Sequence, residues 1–184
     1  MYGSSHPRRA ASLLLCDLTM AAQPLIIQHD KWRKGQGGAP AGVAGESDGS
    51  SYAGLDLNLI TFTASQFGGS SFSSTSFQDA QWSGCAFTGC TFDDCDMQRI
   101  QITGCTFAAC TFDGAKLAHC TFIDCRFTDC TWRGLNFDHG QWQQVALLSC
   151  KGTDITAQHL HGQQVDFTGS QFENMQLAHA QINH

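Results

Sequence analysis

A large apolar residue returns at every fifth position from Leu57 to Leu147 and, in the same phase, from Phe167 to Ile182, and this period decides what the chain can fold into. From Phe62 through Leu147 every member is Phe, Trp, Leu, Ile or Met, and Phe167, Phe172 and Leu177 continue the series. A helix repeats near 3.6 residues and a flat strand near two, so neither keeps a spacing of five on one face. A chain that turns a corner every five residues does keep it, and stacked turns of that kind make a solenoid. A second column runs beside the first: Cys85, Cys90, Cys95, Cys105, Cys110, Cys120, Cys125, Cys130 and Cys150 each sit two residues before a member of the aromatic series. Each pentapeptide therefore has two inward positions, a central one and one two residues before it. At Gly152, Ala157 and Gly162 the central residue shrinks while the earlier one swells to Ile155, Leu160 and Val165, which holds interior volume nearly constant, as close packing requires.

Stretches such as Cys90-Thr91-Phe92-Asp93-Asp94, Cys105-Thr106-Phe107-Ala108-Ala109 and Cys120-Thr121-Phe122-Ile123-Asp124 resemble the pentapeptide-repeat family, here in a Cys/Phe-rich version. The resemblance implies an all-β fold: a right-handed, four-sided parallel β-helix with four pentapeptides to each coil, about six coils over residues 52–184. For function it is nearly silent, because one fold hosts many roles. A coil of twenty residues is supported independently of the family. His119, His139, His159 and His179 are spaced by twenty, and so are Gln81 and Gln101 and, further on, Gln141 and Gln181, with Thr121 and His161 filling that second series. Like residues on successive coils would form ladders at the strand separation of about 4.8 Å.

Charge is unevenly divided. Residues 1–56 carry five acids and five bases and residues 57–184 carry eleven acids and five bases, so the whole net charge of −6 belongs to the repeat. A basic nucleic-acid groove is excluded on that balance, and no apolar run is long enough to span a bilayer. Ten cysteines would ordinarily suggest a disulfide framework, but nine of them recur at fixed inward positions. Parallel stacked side chains would hold their Cβ atoms about 4.8 Å apart, beyond the roughly 3.8 Å a disulfide prefers. The expectation is free core thiols, a reducing compartment and hence the cytoplasm, or secretion by a dedicated system without a cleavable signal.

Residues 1–51 read as a flexible arm. Arg8 and Arg9 precede an apolar run that Asp17 cuts short, Met20 offers an alternative start, and residues 35–51 look like a Gly/Ser/Ala linker. Between these parts, residues 24–32 form a short apolar patch suited to capping the solenoid or docking on a partner.

Two sets of outward residues stand out. His119, His139, His159 and His179 are candidate metal ligands, with Asp138 as an oxygen donor, or a face that responds to mild acid. Asp93, Asp94, Asp96 and Asp113 are a candidate acidic interaction patch. Nothing resembles an active site, a phosphate loop or a paired-carboxylate motif, so no catalysis and no cofactor are expected. The expected function is a non-catalytic protein-interaction scaffold or adaptor with a protein partner, of the kind the resemblance associates with bacterial secretion loci as accessories or effectors. The same resemblance offers a second class, the DNA-mimic inhibitors of gyrase, although Arg99, Lys116, Arg126, Arg133 and Lys151 interrupt the acids here. Phe172, Leu177 and Ile182 suggest an apolar end through which two rods stack as a homodimer. No direct nucleic acid and no membrane are expected as partners.

Overall fold

The computed structural model describes residues 22–183, so Arg8, Arg9, Cys16, Asp17 and Met20 lie outside the described residues. Along three sides of the repeat each pentapeptide contributes a strand, commonly of three residues, whose middle side chain is buried while its neighbours face outward, as at Thr61–Thr63, Gln66–Gly68 and Gln81–Ser83. Two residues past each central position the backbone turns into the left-handed region. Ala64, Ser74, Asp94, Ala109, Asp124 and His139 show φ between 47° and 57°, and Gly69, Gly84, Gly89 and Gly104 share the conformation. That single positive φ stops the strand and makes the corner. It costs an L-residue roughly 1–2 kcal/mol, and the backbone N–H at the corner is bonded to the following coil, as in Ala64 N–H to Ser83 O at 2.8 Å.

Four corners close a coil, and from Ser51 onward the strands pair in parallel with residues twenty away, for example Phe87 beside Phe107 and Phe107 beside Phe127. The solenoid makes about seven turns. Its first side runs through Thr61–Thr63, Gln81–Ser83 and Gln101–Thr103; its second through Gln66–Gly68, Ala86–Thr88 and Thr106–Ala108. The third side carries Ser71–Ser73, Thr91–Asp93 and Thr111–Asp113. The fourth is held by single bridges joining Asp56, Ser76, Asp96, Lys116, Asn136 and Thr156.

The interior is filled by the two columns read from the sequence. Phe67, Phe87, Phe107 and Phe127 stack nearly parallel with centroids 4.6–4.9 Å apart. Tyr52, Phe72, Phe92 and Phe112 form a second stack. The nine cysteines from Cys85 to Cys150 are free and buried. Many of their thiols donate across coils: Cys90 Sγ to Phe67 O at 3.2 Å, Cys110 Sγ to Phe87 O at 3.4 Å and Cys130 Sγ to Phe107 O at 3.4 Å. Cysteine thus fills a narrow column and satisfies a carbonyl at once. The exchange of small for large also holds, because a Cβ placed on Gly152 would overlap the Phe172 ring and lie 2.6 Å from Ile155 Cδ1.

Two expectations need correction. The flexible arm is shorter than residues 1–51, and the turns number about seven rather than six, because residues 42–51 already belong to the solenoid. Val43 pairs with Phe62 and Asp48 with Phe67, nineteen residues apart, whereas Tyr52 pairs with Phe72, twenty apart. One residue is missing between Asp48 and Tyr52, and the first coil is therefore out of phase with the rest. It also places a carboxylate where an aromatic ring belongs. Buried Asp48 accepts hydrogen bonds from Ser50 N–H at 3.0 Å, Ser70 Oγ at 2.9 Å and Tyr52 Oη at 3.0 Å. Burial first, and the adjacent Asp48 next, push the Tyr52 phenol well above its ordinary range.

The apolar patch at residues 24–32 belongs to a helix, Ala22–Arg33, that covers the first coil, with Ala22 and Ile26 fully buried. His29 fixes its position. Its Nδ1 accepts from Ala41 N–H at 3.0 Å, so its Nε2 carries the proton and donates to Asn58 O at 2.9 Å. Asp30 Oδ1 accepts from Asp56 N–H at 2.7 Å and pairs with Lys34, while Arg33 reaches Asp56 at 3.1 Å. Among the described residues no helix is long and apolar enough to cross a membrane.

Candidate functional site: a histidine ladder and an acidic corner

The fourth side ends in β-turns whose third residue has positive φ, closed by bonds such as Ile100 N–H to Met97 O, Cys120 N–H to Leu117 O and Gly140 N–H to Phe137 O. Successive coils present at that corner Leu59, Asp79, Arg99, His119, His139, His159 and His179. Stacking one coil on the next lays the four imidazoles face to face, with centroid separations of 4.9, 5.1 and 5.1 Å and interplanar angles of 7°, 16° and 12°. All four are exposed. His is one of the few residues other than Gly that enter the left-handed region readily, so the fold explains why His is tolerated here. Above the ladder Arg99 turns away and grips Asp79 with two bonds of 2.8 and 2.9 Å, holding the Asp79 carboxyl below the usual range. Asp138 is engaged elsewhere: its Oδ1 accepts from Gln158 N–H at 2.7 Å and its Oδ2 from Asn136 Nδ2 at 3.1 Å. Among the described residues no three His, Cys, Asp or Glu side chains converge on a point that could hold a metal ion.

The acidic candidates gather around one corner. Asp93 and Asp113 are neighbours on adjoining strands, Asp94 occupies the left-handed corner beside them, and Asp96 opens the next side. Their charges are partly answered. Arg133 forms an ion pair with Asp113 and holds its carboxyl below the ordinary range, and Asp96 accepts from Gln78 Nε2 at 2.6 Å. Asp93 is pushed up instead, first by burial and then by Asp113 and Asp94. Beyond Arg133 the third side opens into a shallow groove of about 280 Å³ lined by Thr131, Arg133, Lys151, Thr153 and Glu173, which mixes both signs of charge. The corner column went unread in the sequence, yet its signal is there: Gly, Asp, Ser, Asn and His dominate two places after each central residue.

The family comparison agrees with this architecture over part of the chain. The family model for the pentapeptide repeat region matches residues 100–184, and a second model, for the SV2A/B/C luminal domain, matches residues 52–132. No curated protein matches the chain. Among solved structures, QnrB1, a plasmid-mediated fluoroquinolone resistance protein, is similar at 17% identity over 70% of this chain and 92% of its own, with a TM-score of 0.40. HetL, a pentapeptide repeat protein involved in heterocyst differentiation regulation in the cyanobacterium Nostoc, is similar at 12% identity over 78% of this chain and 90% of its own, with a TM-score of 0.34. Rfr23 from the cyanobacterium Cyanothece matches at 6% identity over 78% of this chain and 89% of its own, with a TM-score of 0.27. With its five-residue register carried around four sides, inward Phe and Cys columns and a left-handed residue at each corner, the chain has the architecture of a pentapeptide-repeat β-helix, and residues 100–184 match that family's model.

Proposed function

We propose that the protein is a non-catalytic interaction scaffold that binds a protein partner through its rod surface, as a bacterial adaptor, accessory or effector of a secretion system. The observation that supports this reading most is the last coil. Phe167, Phe172, Met175 and Ile182 are only partly buried there and Leu177 is 44% exposed. The opposite end, by contrast, is closed by the helix Ala22–Arg33. An apolar end on an otherwise polar rod is a surface for protein contact, and a second copy of the chain stacked end to end is one such contact.

The test is affinity capture with the full chain beside Leu177→Glu, together with the mass of each in solution. The scaffold reading expects a defined partner, or a dimer, that Leu177→Glu loses while the fold persists. A rod that stays monomeric and captures the same proteins as the variant overturns it. The DNA-mimic alternative draws on the acidic balance of the repeat, and it requires the purified protein to inhibit DNA supercoiling. The Arg99–Asp79 and Arg133–Asp113 pairs weaken the acidic surface that such a role would need.

A further inference from the structure

The histidine corner carries a feature that the scaffold reading leaves unused. A left-handed corner is occupied at least cost by Gly, and the other three corners use Gly freely, at Gly84 and Gly104, at Gly69 and Gly89, and at Gly114 and Gly134. From Leu59 to His179 the fourth corner has none. Tolerance of the left-handed region accounts for one His, not for four in consecutive coils. What is retained at this corner is the side chain.

Those side chains are exposed imidazoles whose ring contacts are with one another, and among the described residues no protein group hydrogen-bonds their ring nitrogens. Their nitrogens are therefore open to a ligand that accepts imidazole lone pairs. From this we propose that the ladder forms two clamps for a late first-row divalent cation, one between His119 and His139 and one between His159 and His179. Imidazole suits Ni²⁺, Cu²⁺ and Zn²⁺, with Cu²⁺ and Ni²⁺ favoured by the general affinity order.

The geometry limits the number and form of the sites. A metal–imidazole bond is about 2.0–2.1 Å, so two nitrogens share one ion only within about 4 Å of each other. Rings stacked 4.9–5.1 Å apart must tilt toward a neighbour to do this, and exposed side chains on a fixed corner can tilt. A ring that tilts toward one neighbour leaves the other, so the ladder divides into pairs and holds at most two ions. Each clamp supplies two nitrogens, and water completes the coordination. The buried thiols do not compete, because the nine described cysteines lie inside the coil.

Calorimetric titration of the EDTA-stripped full chain with NiCl₂ tests the proposal, using two double variants that remove the same number of imidazoles. Asn is the replacement because it accepts the φ of 55–59° at these positions. His119→Asn with His179→Asn keeps His139 beside His159 and should bind one Ni²⁺, against two for the native chain. His139→Asn with His159→Asn leaves two rings about 15 Å apart, the sum of the three ladder steps, and its affinity should fall at least tenfold. Equal Ni²⁺ affinity in the two double variants overturns the proposal, and so does a native chain that takes up none. Should an Asn pair lose the fold, Gly at the same positions, which the corner also accepts, gives the same comparison. None of these outcomes depends on a protein partner.

Discussion

Asp93 and Asp113 occupy equivalent places on adjoining strands, yet their carboxyls move in opposite directions, and the cause lies in which neighbour each meets. Arg133 pairs with Asp113 and lowers its pKa; burial, Asp113 and Asp94 raise that of Asp93. A raised folded carboxyl pKa means that the native state holds the proton more tightly than the unfolded chain. Its contribution to stability is present at acid pH and is lost as pH rises through the raised value. Asp79 and Asp113 behave the other way, stabilising above the usual carboxylate range and losing that contribution as pH falls through their lowered values. Asp93→Asn should therefore raise Tm at neutral pH by about 1 °C, the scale of a screened surface repulsion. The gain should disappear in acid where Asp93 is already protonated, and thermal scans across pH check it. A gain that persists unchanged in acid would contradict the assignment. At the same scale Asp48 shows why one inward position was illegible. Its carboxylate is satisfied by Ser50, Tyr52 and Ser70, partners that are recognised only once the first coil is closed.

The single coil is the element of this fold, and much of it was legible because its rules act within five residues. The central ring, the small residue two places before it and the corner two places after it all lie inside one pentapeptide. The exchange at Gly152 and Ile155 was readable for that reason, and it can be tested. Gly152→Ala should cost about 1–3 kcal/mol by overpacking, toward the lower end because Phe172 is only partly buried and can move. Combining it with Ile155→Val should recover part of the loss, as urea denaturation would measure. The thiol column gives a second test. Burial raises Cys95 and Cys120 to about 12 and Cys125 to about 11, and the nine described thiols are enclosed. They should be silent to Ellman's reagent in the folded protein and react together in guanidinium. Prompt native reaction at more than one thiol per chain, Cys16 being the one outside the described residues, would place thiols on the surface and break the fold assignment. The histidine ladder was readable as a stack from the spacing of twenty, while the near-parallel ring angles of 7°, 16° and 12° are set by how the coils meet.

At the scale of the molecule the rod has two unlike ends. The helix Ala22–Arg33 closes one through Ile26, His29 and Asp30, while the last coil leaves Leu177 and its neighbours partly open. Ile26→Ala should cost about 2–4 kcal/mol, the range for truncating a buried aliphatic side chain, and amide exchange should rise first in the strand Gly42–Ala44 beneath it. Uniform exchange along the rod would show that the helix does not hold the first coil. The cap was legible as one of two uses for the short apolar patch at residues 24–32, but the coil it covers was hidden by the missing residue after Asp48. By itself the sequence determined the coil, its contents and its twenty-residue repeat, because side-chain size and a left-handed corner act locally and recur without interruption. Only the tertiary structure decided where the solenoid begins, which end is covered, how Asp48 is satisfied and how the four imidazoles stack. Each of those depends on residues from different coils meeting, or on strand pairing that absorbs a shortened segment, and no period in the chain records either.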